Sequence, residues 1–240
     1  MATSINTTAR IGGALYLMII FFGLFGEMFV RDKLIVSGDV TATANNIIAH
    51  QLLWRMSMAG DLLMHVCDVG LVLVFYILLK PVNKYLALLA VLFNLIQTAV
   101  LVANKLNLLM PLFLLGNSDY LKSFEPKQLY TLTYLSIRSH GYGFGFGLIY
   151  FGFECVVLGY LIIRSTYLPK LIGVLMQIAG MCYLVNSFTL ILSPSTANML
   201  FPFILIPSFI GELSLCLWLL VKGVNFSKWQ EKANTVISSS

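Results

Sequence analysis

Ionisable side chains are the scarcest class in this chain: Asp, Glu, Lys and Arg make up 10% of its 240 residues, and histidine occurs three times. A water-soluble domain of this length needs far more charge to cover its surface, so that class is excluded. Alternating apolar and polar runs of about ten residues are missing too, which removes a transmembrane barrel. No phosphate loop, dinucleotide fingerprint or serine elbow is present. The four cysteines, Cys67, Cys155, Cys182 and Cys216, have no paired spacing and fall in four different apolar runs. They read as small core residues rather than disulfides or metal ligands.

What the chain has instead is apolar length. Hydrophobic residues reach 59% and the mean hydropathy is +0.88, values of an integral membrane protein. A hydrocarbon core of about 30 Å needs about 20 helical residues. Six segments meet that length: 11–30, 56–79, 85–107, 140–163, 171–192 and 199–221, with a tail over 222–240. The fold class expected is all-α, a polytopic membrane protein with six transmembrane helices in one bundle and short interfacial helices on the outer side. No linker or composition shift divides residues 1–240, so one domain is expected. The first span is about 20 residues long and lacks a small-residue cleavage pattern, so it is expected to be a retained helix.

Six spans place both termini on one side, and the Lys and Arg count selects which. Arg10, Lys80, Lys84, Arg164, Lys170, Lys222, Lys228 and Lys232 lie on the terminal side, opposed only by Glu231. That side is expected to be cytoplasmic. The other side mixes Arg31, Lys33, Lys122 and Lys127 with Asp32, Asp39, Asp119 and Glu125. The net charge of +5 is thus topological and does not point to nucleic acid.

Two outer segments read as helices. Thr41 is positioned to cap one in which Ala44, Ile47, Ile48 and Leu52 share a face, with Trp54 and Arg55 at headgroup depth. Ser123, followed by Glu125 and Pro126, starts another with a stripe of Leu129, Leu132 and Leu135. Continued to Ile163 it would run about 60 Å, so a break or bend is expected near Gly141, Gly143, Gly145 and Gly147. The overlapping pairs Gly141/Gly145 and Gly143/Gly147 also fit close helix packing, within the bundle or at a dimer seam. The Ser-rich last three residues are expected to fray. A weak echo between Leu79-Lys80-Pro81 and Ile163-Arg164 through Pro169-Lys170 is better explained by the usual content of short cytoplasmic turns than by a duplicated hairpin.

The most informative polar feature is the stripe Asp61, His65 and Asp68, at spacings of four and three, inside span two. Each such group costs roughly 2.5 to 3.5 kcal/mol on insertion scales, so ionisable residues at membrane depth face a bundle interior or wet cavity and mark working sites. Asp61 is expected about 8 Å below the outer boundary and Asp68 near the middle. Span three brings Asn104 and Lys105 to similar depth with Gln97 below. Arg138 and His140 arrive at the start of span four and Glu27 at the end of span one. An outward-opening polar pocket is the resulting expectation.

Three readings of that set stay open. In the first, the carboxylates accept a proton or cation while Arg138 and Lys105 hold an anionic headgroup or metabolite; Pro202 and Pro207 in span six and the glycines of span four supply the broken helices of such sites. In the second, Asp61 and His65 with His140 or His50 bind zinc, whose water attacks a lipid amide or ester. In the third, Asp61 and Asp68 merely neutralise Lys105 and Arg138 in a closed ion-pair network. Haem between His65 and His140 is disfavoured, since only one pair exists. No cofactor is favoured, with zinc the alternative. Glu154 and Glu212 sit deeper, as proton relays or as protonated carboxyls bonded to a neighbouring helix.

The runs Gly60-Asp61-Leu62-Leu63-Met64 with Cys67-Asp68-Val69, Leu79-Lys80-Pro81-Val82-Asn83, His140-Gly141-Tyr142-Gly143-Phe144 and Gly211-Glu212-Leu213-Ser214-Leu215 with Trp218-Leu219-Leu220 and Lys222-Gly223 together resemble an uncharacterised bacterial multi-span family, domain-of-unknown-function family 4386, from Arg10 to Trp229. The resemblance implies an inner-membrane protein and supplies no activity. It implies both Asp of span two and a His at His140, no His at the position of His65, and often His where Glu154 stands. Asp61, Asp68, His140 and Glu212 gain from it and the Asp61/His65 metal site loses. The partners expected are the lipid bilayer and a small polar or amphipathic ligand, with oligomeric state unreadable.

Overall fold

The computed structural model describes residues 2–238. α1 (Ala2–Leu24) runs into a π-helical segment, Phe25–Arg31, and a last turn, α2 (Asp32–Leu34). Then follow α3 (Val40–Ala49), α4 (Gln51–Leu79), α5 (Lys84–Leu114), a 3-10 turn (Asp119–Ser123) and α6 (Pro126–Ser165). The chain ends with α7 (Lys170–Leu192), α8 (Pro194–Leu200), α9 (Ile206–Val221) and α10 (Phe226–Ser238). No strand occurs among the described residues, and six stretches are long and apolar enough to cross a membrane: Ile5–Leu34, Gln51–Leu79, Lys84–Leu114, Pro126–Ser165, Lys170–Leu192 and Phe203–Val221.

Those six pack in chain order as a closed ring, since α1 meets α4, α4 meets α5, α5 meets α6, α6 meets α7, α7 meets α9, and α9 returns to α1. Large apolar side chains such as Phe21, Leu73, Leu106 and Leu192 point outward, as a lipid-facing belt requires. Both chain ends meet at one end of the ring: Val224 N donates to Asn6 Oδ1 at 3.0 Å, and Trp229 Nε1 to the Leu78 carbonyl at 3.1 Å. That terminal end is filled by an apolar core including Leu78, Leu158, Leu161, Ile172 and Leu219. Tyr167 anchors it by donating to the Leu78 carbonyl at 2.6 Å, and burial pushes its hydroxyl pKa up. A smaller core of Val30, Leu34, Ile47, Trp54, Leu108 and Ile137 closes the distal end.

Several local expectations are corrected. The cap of α3 is Asp39, which accepts from Thr41 N and Ala42 N, not Thr41. Its face splits: Ala44 and Ile47 are buried while Ile48 and Leu52 point away. Trp54 is not at headgroup depth but wholly buried, donating Nε1 to the Leu108 carbonyl at 2.9 Å. α6 starts at Pro126 with Glu125 as cap and Gln128 completing a capping box, so Ser123 is not its start. Its stripe is exposed at Leu132 and Leu135.

α6 is also unbroken over 40 residues. The glycines serve packing instead, because a Cβ on Gly143 would sit 2.2 Å from Asn104 Oδ1 and one on Gly147 2.5 Å from Leu101 Cδ2. Pro207 falls in the first turn of α9, where no amide hydrogen bond is lost, and Pro202 precedes that helix, so neither interrupts it. α10 was not expected; Phe226 and Trp229, three apart, pack on the terminal core. Of the three terminal serines expected to fray, Ser238 closes α10 and Ser239 and Ser240 lie outside the described residues.

The tightest seam joins α6 to α7. A Cβ on Gly159 would lie 2.5 Å from the Gly173 carbonyl oxygen, one on Gly173 2.6 Å from that of Gly159, and one on Gly180 2.5 Å from that of Gly152. Small residues let membrane helices approach to backbone contact. Gly173→Val is therefore expected to cost about 1–3 kcal/mol or more by overpacking. Gly141→Ala, which points into open space, is expected to hold stability or raise it by up to about 1 kcal/mol. Thermal unfolding in dodecyl maltoside, followed by a thiol-reactive dye, measures both; equal losses would remove the seam as a constraint.

Candidate functional site

α4 turns one polar stripe into the ring: Ser57, Asp61, His65 and Asp68, all buried. Asp61 is 0% exposed and is the centre of the distal group. Arg31 Nη1 and Lys105 Nζ each donate to its Oδ2 at 2.8 Å, and Arg31 Nη2 reaches Oδ1 at 3.4 Å. Arg31 Nε also donates to Glu27 Oε2 at 2.6 Å. Arg31 and Lys105 are 6% and 5% exposed, whereas the Glu27 side chain is 58% exposed. The buried part of this network thus carries two cations against one carboxylate.

The backbone makes the arrangement possible. The π-helical segment Phe25–Arg31 sets Glu27 and Arg31 on the side of Asp61; single π turns often occur at functional sites. Gly26 clears the space, since a Cβ there would meet Asp61 Oδ1 at 2.7 Å. On the other flank, Asn104 Nδ2 donates to the His140 carbonyl at 2.9 Å and lies 2.9 Å from His140 Nδ1. The carbonyl fixes the amide orientation, so Nδ1 accepts and the ring's own proton belongs on Nε2. His140 lies within electrostatic range of Lys105, Arg31 and Asp61.

Arg138 does not join this group. It is exposed and makes no ion pair among the described residues. Two residues from His140 is a rotation of roughly 200° on a helix, so an inward His140 turns Arg138 outward. Arg31, expected among the mixed charges of the outer side, takes its place. The signal for it was the Glu27/Arg31 spacing of four, which continues span one as a helix. The pocket expected to open outward is closed here, because the Val30, Ile47, Trp54 and Leu108 core covers the distal end and Asp61 is sealed.

A second polar layer lies nearer the middle. His65 Nδ1 is 3.2 Å from Asp68 Oδ2. Asn94 Nδ2 bridges both Glu154 oxygens at 3.2 and 3.1 Å. Glu212 is half-buried, accepts the Tyr183 hydroxyl and is also bonded by Tyr16. Gln97 is buried beside Asn94 on α5. Asp61, His65 and His140 are not drawn together: each is bonded elsewhere, and no three His, Cys, Asp or Glu side chains converge to hold a metal among the described residues. His50 is exposed at the end of α3, against the Asn46 carbonyl.

Removing Asp61 leaves the buried Lys105 unpaired and Arg31 with only the exposed Glu27, whereas removing Glu27 breaks a half-solvated pair. Asp61→Asn is expected to cost about 3–5 kcal/mol and Glu27→Gln less than about 1 kcal/mol. Unfolding in micelles by increasing SDS fraction separates the two, and comparable losses would refute the assignment of Asp61 as the centre.

A relative described as an uncharacterized protein, from Archaeoglobus fulgidus, is 26% identical over 173 residues, covering 72% of this chain and 86% of its own length. No solved structure matches. The model of the family described as "Domain of unknown function (DUF4386)" matches residues 11–223, a stretch that holds the whole of α4, both polar layers and the glycine seam, and the chain belongs to that family.

Proposed function

We propose that the distal cluster binds the anionic group, carboxylate or phosphate, of a small polar or amphipathic molecule within the membrane. The observation that supports this is the charge count: two buried cations, Arg31 and Lys105, share one buried carboxylate, and the remaining counter-charge, Glu27, is exposed and displaceable. Glu27 occupies the Nε edge of Arg31 as an anionic ligand would, and its displacement frees that edge for a bidentate contact. Asn104 and His140 flank the same place and add donors once the distal core parts. Translocation needs the site to open to both ends, and the apolar terminal core stands against the second opening, so binding is the favoured half of this reading.

The complete burial of Asp61 gives a second reading some support, a closed network that only fixes helix register. Apolar replacement of such a network is often neutral or stabilising, which separates the two. In dodecyl maltoside, inorganic phosphate and dihexanoyl phosphatidic acid are expected to raise the thermal midpoint of the protein as bound ligands do. Glu27→Gln is expected to enlarge that rise by freeing Arg31, and Lys105→Met to abolish it, while Lys33→Met, in the exposed last turn, leaves it unchanged. A wild type and Glu27→Gln variant that both fold and both ignore the two anions would overturn binding and leave the structural role.

A further inference from the structure

The middle layer contains more negative capacity than the helices around it can neutralise. Contacts between neighbouring helices fix which residues stand level. Asp61 meets Lys105 between descending α4 and ascending α5, so Asp68 stands level with Thr98 and Gln97. Asn104 meets His140 and Asn94 meets Glu154 between α5 and α6; Gly152 meets Gly180 between α6 and α7, and Tyr183 meets Glu212 between α7 and α9. Following these pairs round the ring brings Tyr16, Asp68, Gln97, Tyr183 and Glu212 to one level, with Glu154 and Asn94 about one turn nearer the terminal end. Asp68 is within electrostatic range of both Glu154 and Glu212.

Among the described residues, no Lys or Arg belongs to this layer. Lys105, along α5, is about 10 Å above Thr98 and is engaged by Asp61. The titratable groups around this layer are Tyr16 from α1, His65, Cys67 and Asp68 from α4, Glu154 and Cys155 from α6, Tyr183 from α7, and Glu212 and Cys216 from α9; α5 adds only amides and a hydroxyl. A second observation is independent of the acids. Asn94 Oδ1, Gln97 Oε1, Thr98 Oγ1 and His65 Nε2 are buried without a hydrogen-bond partner, and their side chains are at least nine-tenths buried. Asn94 shares its amide with the Glu154 contact, and His65 shares its ring with the Asp68 contact. Both amide atoms are acceptors. Two buried oxygens that can only accept, Asn94 Oδ1 and Gln97 Oε1, therefore lack a donor, and a buried acceptor without a donor is costly.

We propose that Asp68, Glu154 and Glu212, with His65, form a proton-binding site in the middle of the helix ring. A proton on a carboxylate removes a charge and creates an O–H donor, which meets both deficits at once. His65 stands four residues below Asp61 and three above Asp68, one nitrogen on Asp68 and the other unpartnered, which places it as the link between the distal cluster and the acids. Apolar cores close the ring at both ends, so the site is internal. Asp68 is electrostatically coupled to the other two carboxyls, and coupled groups titrate together.

The test is infrared difference spectroscopy of the full chain in dodecyl maltoside, titrated from neutral to alkaline pH. The expected result is a protonated-acid carbonyl band at neutral pH that bleaches as pH rises. Asp68→Asn, Glu154→Gln and Glu212→Gln each remove one component, and Asp119→Asn, in an exposed ion pair, removes none of the buried band. The wild-type titration decides even where a variant fails to fold. Absence of the acid band at neutral pH overturns the proposal, as does its bleaching by sodium at constant pH, which would make the occupant a metal cation.

Discussion

A charge inside hydrocarbon has to find its counter-charge on another helix, and Asp61 does so twice. Its carboxylate joins the end of the first span to α4 through Arg31 and α4 to α5 through Lys105, so three consecutive helices are registered by one group. The features around it follow from that demand. The π-helical segment delivers Arg31 from the proper side, Gly26 leaves room for it, and Gly143 leaves room for the Asn104 amide beside Lys105. The hydrophobic contacts of the distal core then seal the cluster rather than create it.

The other half of the ring is built differently. α6, α7 and α9 are joined by backbone proximity, glycine against carbonyl, with Ser208 donating to the Ala179 carbonyl at 3.2 Å and Gly211 against Leu175 O. Lipid offers no hydrophobic drive for helix association, so contact quality and internal hydrogen bonds decide. One side of the ring is thus held by charge and the other by shape, and the middle polar layer lies where the two meet.

Much of this was legible in the residues. The six spans follow from apolar length, and the inward stripe of α4 from the spacing of Asp61, His65 and Asp68, because both depend on period and composition alone. The convergence of Lys105, Asn104 and His140 near Asp61 followed from depth, since rise per residue fixes level. What depth leaves open is azimuth. Arg138 and His140 share a level but not a face, and Arg31 lay in a stretch whose helical continuation depends on a tertiary partner. The continuity of α6 is hidden in the sequence for a related reason: glycine signals either a bend or a close neighbour, and only the position of Asn104 and Leu101 decides between them. Trp54 shows the same limit, its indole finding a carbonyl across the bundle instead of a headgroup.

The unbroken α6 has a mechanical meaning. At about 1.5 Å per residue its 40 residues form a rod of about 60 Å, roughly twice the hydrocarbon thickness. Near the terminal end the rod is clamped by the Gly152, Gly159, Gly173 and Gly180 seam, which acts as a fulcrum. Glu154 sits within that clamp, whereas His140 lies about 30 Å from Gly159 along the arm. A rigid rod would convert any tilt about that clamp into a displacement that grows with distance, so His140, held against Asn104, would feel it far more than Glu154.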